Sequence, residues 1–242
     1  MNLKLGLLGA SGRMGKEVVA LVGGEHKGSM TLAAAPKRGE SFSALQSVDV
    51  VLDFALPEVC LALVTEWLAL PAQTRLPALV VGSTGWKPEE ESLLQKLSAR
   101  TPVLKATNFS IGVLALGQVL KQVSPLLRSM GYTPVLVEGH HRHKKDAPSG
   151  TALTLRSCVD PDHPETVQTH AIRAGEIIGD HEVTFHGPSD HLVFGHFAQN
   201  RTLFARGALE AVRWLAVLKA HGASGRILSM EDWFASRTDA SE

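Results

Sequence analysis

The sequence predicts an α/β fold: a doubly wound parallel sheet followed by a second, smaller α+β domain with a mixed or antiparallel sheet. Three observations carry that reading. Short apolar runs alternate with helical segments through the first third of the chain. A glycine-rich turn joins the first run to the first helix. Beyond residue 110 the pattern changes to one long helix followed by segments whose apolar residues recur with a period of two.

Each element has its own signal. Leu3–Leu8 is a short apolar run, the mark of a strand buried on both faces. Helical spacing follows over Met14–Val22, then strands at Thr31–Ala35 and Val48–Phe54. Pro57 suits a first helical turn, and the helix it opens runs to Leu68. Ala78–Val81 is a fourth strand, Pro88–Ala99 a helix with acids in its first turn, and Val103–Lys105 a fifth strand. Alternation of this kind implies βαβ units. Ile111–Met130 reads as a long helix that Pro125 should kink or break. Val135–Glu138, Val167–Arg173, His181–His186 and Leu192–His196 read as strands, and Ala205–His221 as a helix that returns to the first domain. The expected domains are 1–110 with 202–242 for a dinucleotide, and 111–201 for substrate and oligomer contacts. The polar tail 239–242 is expected to fray.

Composition narrows the function. Among 242 residues, 24 Lys and Arg balance 24 Asp and Glu, so a general nucleic-acid or anionic-membrane binder is not expected. Cys60 and Cys158 are too few for a disulfide framework and read as free thiols in a reducing, cytoplasmic setting. No apolar run reaches the roughly 18 residues that span a bilayer.

Gly9-Ala10-Ser11-Gly12-Arg13-Met14-Gly15 lies between the first strand and the first helix. Glycines there permit a tight turn and let backbone N–H groups approach a pyrophosphate. Arg13 suits a phosphate partner. A glycine turn without a ligand is the alternative. After the second strand come Ala35, Pro36, Lys37 and Arg38. No acid stands where a ribose 2′-OH would be bound, and the two cations favour the 2′-phosphate of NADPH over NADH. A solvated basic turn is the bland alternative. Gly82-Ser83-Thr84-Gly85 and Ala106-Thr107-Asn108-Phe109 follow the fourth and fifth strands, where a doubly wound sheet places its ligand.

The stretch from Glu138 to Ala152 is the most informative. Six potential cations lie within His140–Lys145, in a protein of zero net charge. Pro148 and Ser149 then open a helix whose N–H groups at Ser149, Gly150 and Thr151 can hold a carboxylate. The combination suits a small dicarboxylate. Zinc on His140, His141 and His143 is a competing reading, but their spacing is poor for one metal and none is expected. Hydride transfer to a conjugated C=C or C=N needs a proton donor, and His140 and Lys144 are of the right type.

These residues resemble the 4-hydroxy-tetrahydrodipicolinate reductase (dihydrodipicolinate reductase) family. The resemblance rests first on Glu138-x-His140-His141-x-x-Lys144-x-Asp146-Ala147-Pro148-Ser149-Gly150-Thr151-Ala152. Asn108-Phe109-Ser110-x-Gly112-Val113, Arg173-x-Gly175-x-x-x-Gly179-x-His181 and His196-x-Ala198-x-x-Arg201 are similar to further family segments. It implies a Rossmann-like nucleotide domain, a homotetramer built through the second domain's sheets, and reduction of a cyclic imine dicarboxylate to tetrahydrodipicolinate in diaminopimelate and lysine biosynthesis. His140 and Lys144 match the acid–base pair. His141, Ser149, Gly150, Thr151 and Arg201 match substrate positions. The Gly9–Gly15 turn, Lys37, the Gly82–Thr84 loop and the Ala106–Phe109 loop match cofactor positions. Pro36 departs from the acid that many members carry, Ser83 replaces a frequent threonine, and the segment from Gly39 to Val48 is short. Three other functions share these features in part: a non-catalytic NADP(H)-sensing regulator, a different NADP-dependent oxidoreductase, and a polycarboxylate binder without a cofactor.

Overall fold

Strands and helices alternate from the first residues onward in the computed structural model, which describes residues 2–222 and 225–238. The expectation for 239–242 lies outside these. Two units form: one from residues up to Phe109 together with those from Phe204 onward, the other from Ser110–Leu203. In the first, β1 (Leu3–Leu8), α1 (Arg13–Gly23), β2 (Met30–Ala34), β3 (Val50–Asp53), α2 (Pro57–Ala69), β4 (Ala78–Val81), α3 (Pro88–Ser98) and β5 (Val103–Lys105) follow in order. The second contains α4 (Ile111–Ser129), β6 (Thr133–His140), α5 (Gly150–Val159), β7 (Gln168–Arg173), β8 (Asp180–His186) and β9 (His191–Phe197). The chain returns to the first unit through α6 (Thr202–His221), β10 (Ile227–Leu228) and α7 (Met230–Thr238).

The first sheet is parallel throughout, in the order β10-β5-β4-β3-β1-β2. Every residue of β3 and β4 is buried, because helices cover both faces. That is why these strands read as unbroken apolar runs. On α2, Cys60, Leu63, Val64 and Trp67 are buried, the spacing of one helical face. Register aligns Leu8 with Asp53, Asp53 with Val81, and Val81 with Lys105. The strands therefore end level, and the loops after them share one edge. The strand order reverses between β1 and β3, the switch point where such sheets open a crevice.

The second sheet is mixed, in the order β7-β6-β8-β9, with β6 parallel to β7 and antiparallel to β8. Leu136, Val183 and Phe185 pack against Val113, Leu116 and Leu120 of α4 and Ala152 and Leu155 of α5. Gly117 keeps the helices close: a Cβ there would stand 3.3 Å from the Cys158 sulfur. Both cysteines are buried, and neither forms a disulfide.

One local expectation changes, and two elements appear that the sequence did not signal. Pro125 does not break α4, which runs to Ser129. Pro125 sits on the exposed side near the helix end, while Leu116, Leu120 and Ser124 hold the buried side. β10 is too short to show a period, so only its pairing with Val103 and Leu104 reveals it. α7 carries little apolar pattern, but a capping box marks its start. Ser229 Oγ accepts from the Asp232 N–H, and Asp232 Oδ2 accepts from the Ser229 N–H. Among the described residues no helix is long and apolar enough to cross a membrane.

Candidate active site

Four loops meet the carboxyl edge of the first sheet. After β1 the chain turns at Gly9, whose φ of +80° favours glycine. A Cβ on Gly9 would lie 2.5 Å from the Phe54 carbonyl oxygen, and one on Gly15 would lie 2.1 Å from that of Gly9. Two of the three glycines are thus required by packing alone. Gly12 is the N-cap of α1, and with no side chain it leaves the first N–H groups of the helix without a side-chain cap. The first turn holds no acid, and Ser11 and Arg13 are exposed beside it. This arrangement fits a pyrophosphate, which needs unclaimed N–H groups and a nearby cation. Ala10 and Met14 are half-buried flanks of the turn.

Beyond β2, Lys37 and Arg38 are exposed. Sequence reading overlooked Glu40, whose carboxylate accepts the Lys37 N–H at 2.8 Å and closes that turn. An acid is therefore present in this loop, held on the backbone.

In the loop after β4, Gly82 is required by the Phe54 ring, which a Cβ would meet at 2.5 Å. Thr84 is exposed, whereas Ser83 is buried. The Ser83 hydroxyl donates to Asp53 Oδ2 at 2.5 Å and accepts from the Trp86 Nε1–H at 3.0 Å. Its side chain faces the protein, and its backbone also bonds to Asp53, so Ser83 anchors the loop. The loop after β5 is similar. Ala106 continues the ladder to Val81, and the Phe109 ring is buried edge-on against Phe54, with centroids 5.7 Å apart. Thr107 is exposed and Asn108 half-buried between them.

The second unit gathers the charged cluster at the end of β6. Glu138 and His140 lie on one face of that strand, both buried. Glu138 Oε2 and His140 Nδ1 lie 2.5 Å apart, within hydrogen-bond distance. Arg173 grips both oxygens, Nη1 to Oε2 at 3.0 Å and Nη2 to Oε1 at 2.7 Å. The Ser149 N–H donates to Oε1 at 3.2 Å. Burial pushes the Glu138 carboxyl up, but the bonds from Arg173 and His140 outweigh it, and the net shift is downward. Burial pushes His140 down, only partly opposed by Glu138, and Lys144 and Arg173 add to the fall. The net shift of His140 is downward, which favours the neutral imidazole.

His181 faces His140 from β8, with rings edge-on and centroids 5.3 Å apart. Its Nε2 lies 3.3 Å from Ser149 Oγ, and burial together with the His140 charge lowers its pKa to about 4. Ser149 caps α5 by accepting the Ala152 N–H. The expected three-residue anion nest is therefore reduced. The Ser149 N–H is already held by Glu138, which leaves the backbone at Gly150 as the open part of the nest. Space beside Gly150 is open. Lys144 is paired with Asp146 at 3.0 Å. His141 is half-buried, its ring 6.2 Å from that of the exposed His143. Arg201 is half-buried at the turn that precedes α6.

Glu138, Arg173 and His181 had no role assigned from sequence. The signal for Glu138 was present: an acid two residues before a histidine on a strand shares its face. Arg173 and His181 come from other strands, beside His140 and opposite Glu138 in register.

A doubly wound sheet with a glycine turn at its switch point, joined to a second unit rich in acid–base groups, defines a dinucleotide-dependent oxidoreductase. Family models described as the N-terminus and the C-terminus of dihydrodipicolinate reductase match residues 3–109 and 112–234. The chain belongs to the dihydrodipicolinate reductase family. A 4-hydroxy-tetrahydrodipicolinate reductase of Bdellovibrio bacteriovorus is 37% identical over 224 residues, covering 90% of this chain and 92% of the relative. One of Stenotrophomonas maltophilia is 38% identical over 231 residues, covering 88% and 92%. The fold is shared with a dipicolinate-bound dihydrodipicolinate reductase of Paenisporosarcina sp., with a TM-score of 0.73 at 20% identity, covering 95% of this chain and 98% of that one.

Proposed function

We propose that this chain reduces 4-hydroxy-tetrahydrodipicolinate to tetrahydrodipicolinate, with loss of water, in diaminopimelate and lysine biosynthesis. The observation that carries the reading is the His140 cluster beside the N-terminus of α5: proton-transfer groups and an anion site on one segment. NADPH is the preferred nucleotide, held by Gly9–Gly15, Lys37, Arg38 and the backbone of the 82–84 and 106–109 loops. A bound nicotinamide supplies the hydride. His140 and Lys144 form the acid–base pair: Lys144 delivers the proton that the reduced imine system then needs, and His140 Nε2 accepts and relays protons beside it. The backbone of Gly150 and Thr151 holds a substrate carboxylate, with Ser149 fixing the helix start. His141 and Arg201 add cationic contacts. The working form is a cytoplasmic homotetramer. Exposed Ile172, Val193 and Phe197 on β7 and β9 supply an apolar face for that assembly.

A planar pyridine dicarboxylate tests the substrate class. Inhibition competitive against the imine substrate is expected. Inhibition competitive only against the nucleotide contradicts the assignment of the α5 N-terminus. Light scattering at micromolar concentration reads the tetramer directly.

A further inference from the structure

We propose that Glu138 is a positioning residue for His140, fixing the imidazole proton on Nδ1 and leaving Nε2 as the working nitrogen. This rests on the reading of His140 as a proton-transfer group. Glu138 has no exposed surface, yet four donors converge on it: His140 Nδ1, both Arg173 Nη groups and the Ser149 N–H. A carboxylate so surrounded is ionised and can only accept. The nitrogen facing it must therefore carry the hydrogen, and neutral His140 is the Nδ1–H tautomer.

The two carboxylate oxygens do different work. Oε2 is shared by His140 and Arg173. Oε1 is shared by Arg173 and the first N–H at the α5 cap. One rigid group thus sets both the imidazole plane and the start of the anion-binding helix, and displacing it moves both. Gly179 contributes by omission, since a Cβ there would stand 3.3 Å from His140 Nε2. The charged and titratable groups around His140 are Glu138 on its own strand, Arg173 on β7, His181 on β8 and Lys144 in the following loop.

The test has two arms on the full-length protein. In the first, 15N imidazole spectra at neutral pH report the tautomer, with His140 assigned by its loss in His140→Ala. Nδ1–H is expected, and an Nε2–H tautomer in the wild type overturns the proposal. The second is a double-mutant cycle in kcat for nicotinamide oxidation. Glu138→Gln is expected to lower kcat by about ten- to a hundredfold, and to lower it no further in the His140→Ala background. An equal loss in both backgrounds overturns the proposal, because Glu138 would then act through the fold alone. Glu138→Asp, which keeps the charge opposite Arg173, takes its place in the cycle where Glu138→Gln does not fold. A wild type with the Nδ1–H tautomer and no turnover supports the positioning while overturning the reductase reading.

Discussion

Asp53 Oδ2 and the Ser83 hydroxyl oxygen lie 2.5 Å apart at the carboxyl ends of neighbouring strands β3 and β4, both buried. Burial pushes the Asp53 carboxyl up, and the bonds from Ser83 and the Ala55 N–H partly restore it. With Trp86 donating to the same hydroxyl, Ser83 links the strand ends to the loop that follows. Ser83→Ala removes the partner of both groups. It is expected to cost about 1–3 kcal/mol, the penalty for stranded buried polar atoms. Urea unfolding measures this, and the nucleotide KM is expected to change little beside it.

Lys144 carries a different expectation. Its ammonium is a quarter exposed and held by Asp146, so its removal leaves no buried cavity. Lys144→Ala is expected to lower kcat by about a hundredfold or more with the dissociation constant for NADPH unchanged. Unchanged turnover in a stopped-flow assay removes Lys144 from the mechanism.

On the proposed function, nucleotide choice is expected to depend on the turn after β2. Lys37 and Arg38 are exposed there, and the nearby Glu40 carboxylate is held on the Lys37 N–H. Pro36→Asp places a free acid where a ribose 2′-OH would be read. The ratio of kcat/KM for NADPH over NADH is expected to fall by about tenfold, or about 1.4 kcal/mol. A wild type indifferent to the two nucleotides contradicts the charge argument.

His181 makes stability depend on pH. Its pKa falls from 6.5 to about 4 on folding, through burial first and the His140 charge second. The unfolded chain therefore binds more protons between these values, and stability rises with pH. The full contribution is present above pH 6.5 and is lost as pH falls towards 4, amounting to about 3 kcal/mol. Glu138, whose pKa is also lowered, adds loss in the same direction at lower pH. Urea midpoints at pH 7 and pH 5 measure the slope, and His181→Gln is expected to flatten it.

What the sequence reveals follows from where the causes lie. β3 and β4 are legible because burial on both faces leaves only apolar residues in them. The His140–Thr151 stretch is legible because its groups are contiguous. Arg173 lies 35 residues from Glu138, and only strand pairing joins them. Ser83 and Phe109 show a different limit. Sequence places them in the right loops, but their side chains turn inward to Asp53 and Phe54. Pro125 does not break α4, because the packing of Leu116, Leu120 and Ser124 on the buried side carries the helix past it.

The central claim is most directly tested by nicotinamide oxidation with substrate generated in situ from pyruvate and aspartate semialdehyde, NADPH and NADH run in parallel. The account predicts rapid loss of NADPH absorbance that depends on both precursors and exceeds the loss of NADH. Tight NADPH binding with no oxidation of either nucleotide contradicts it.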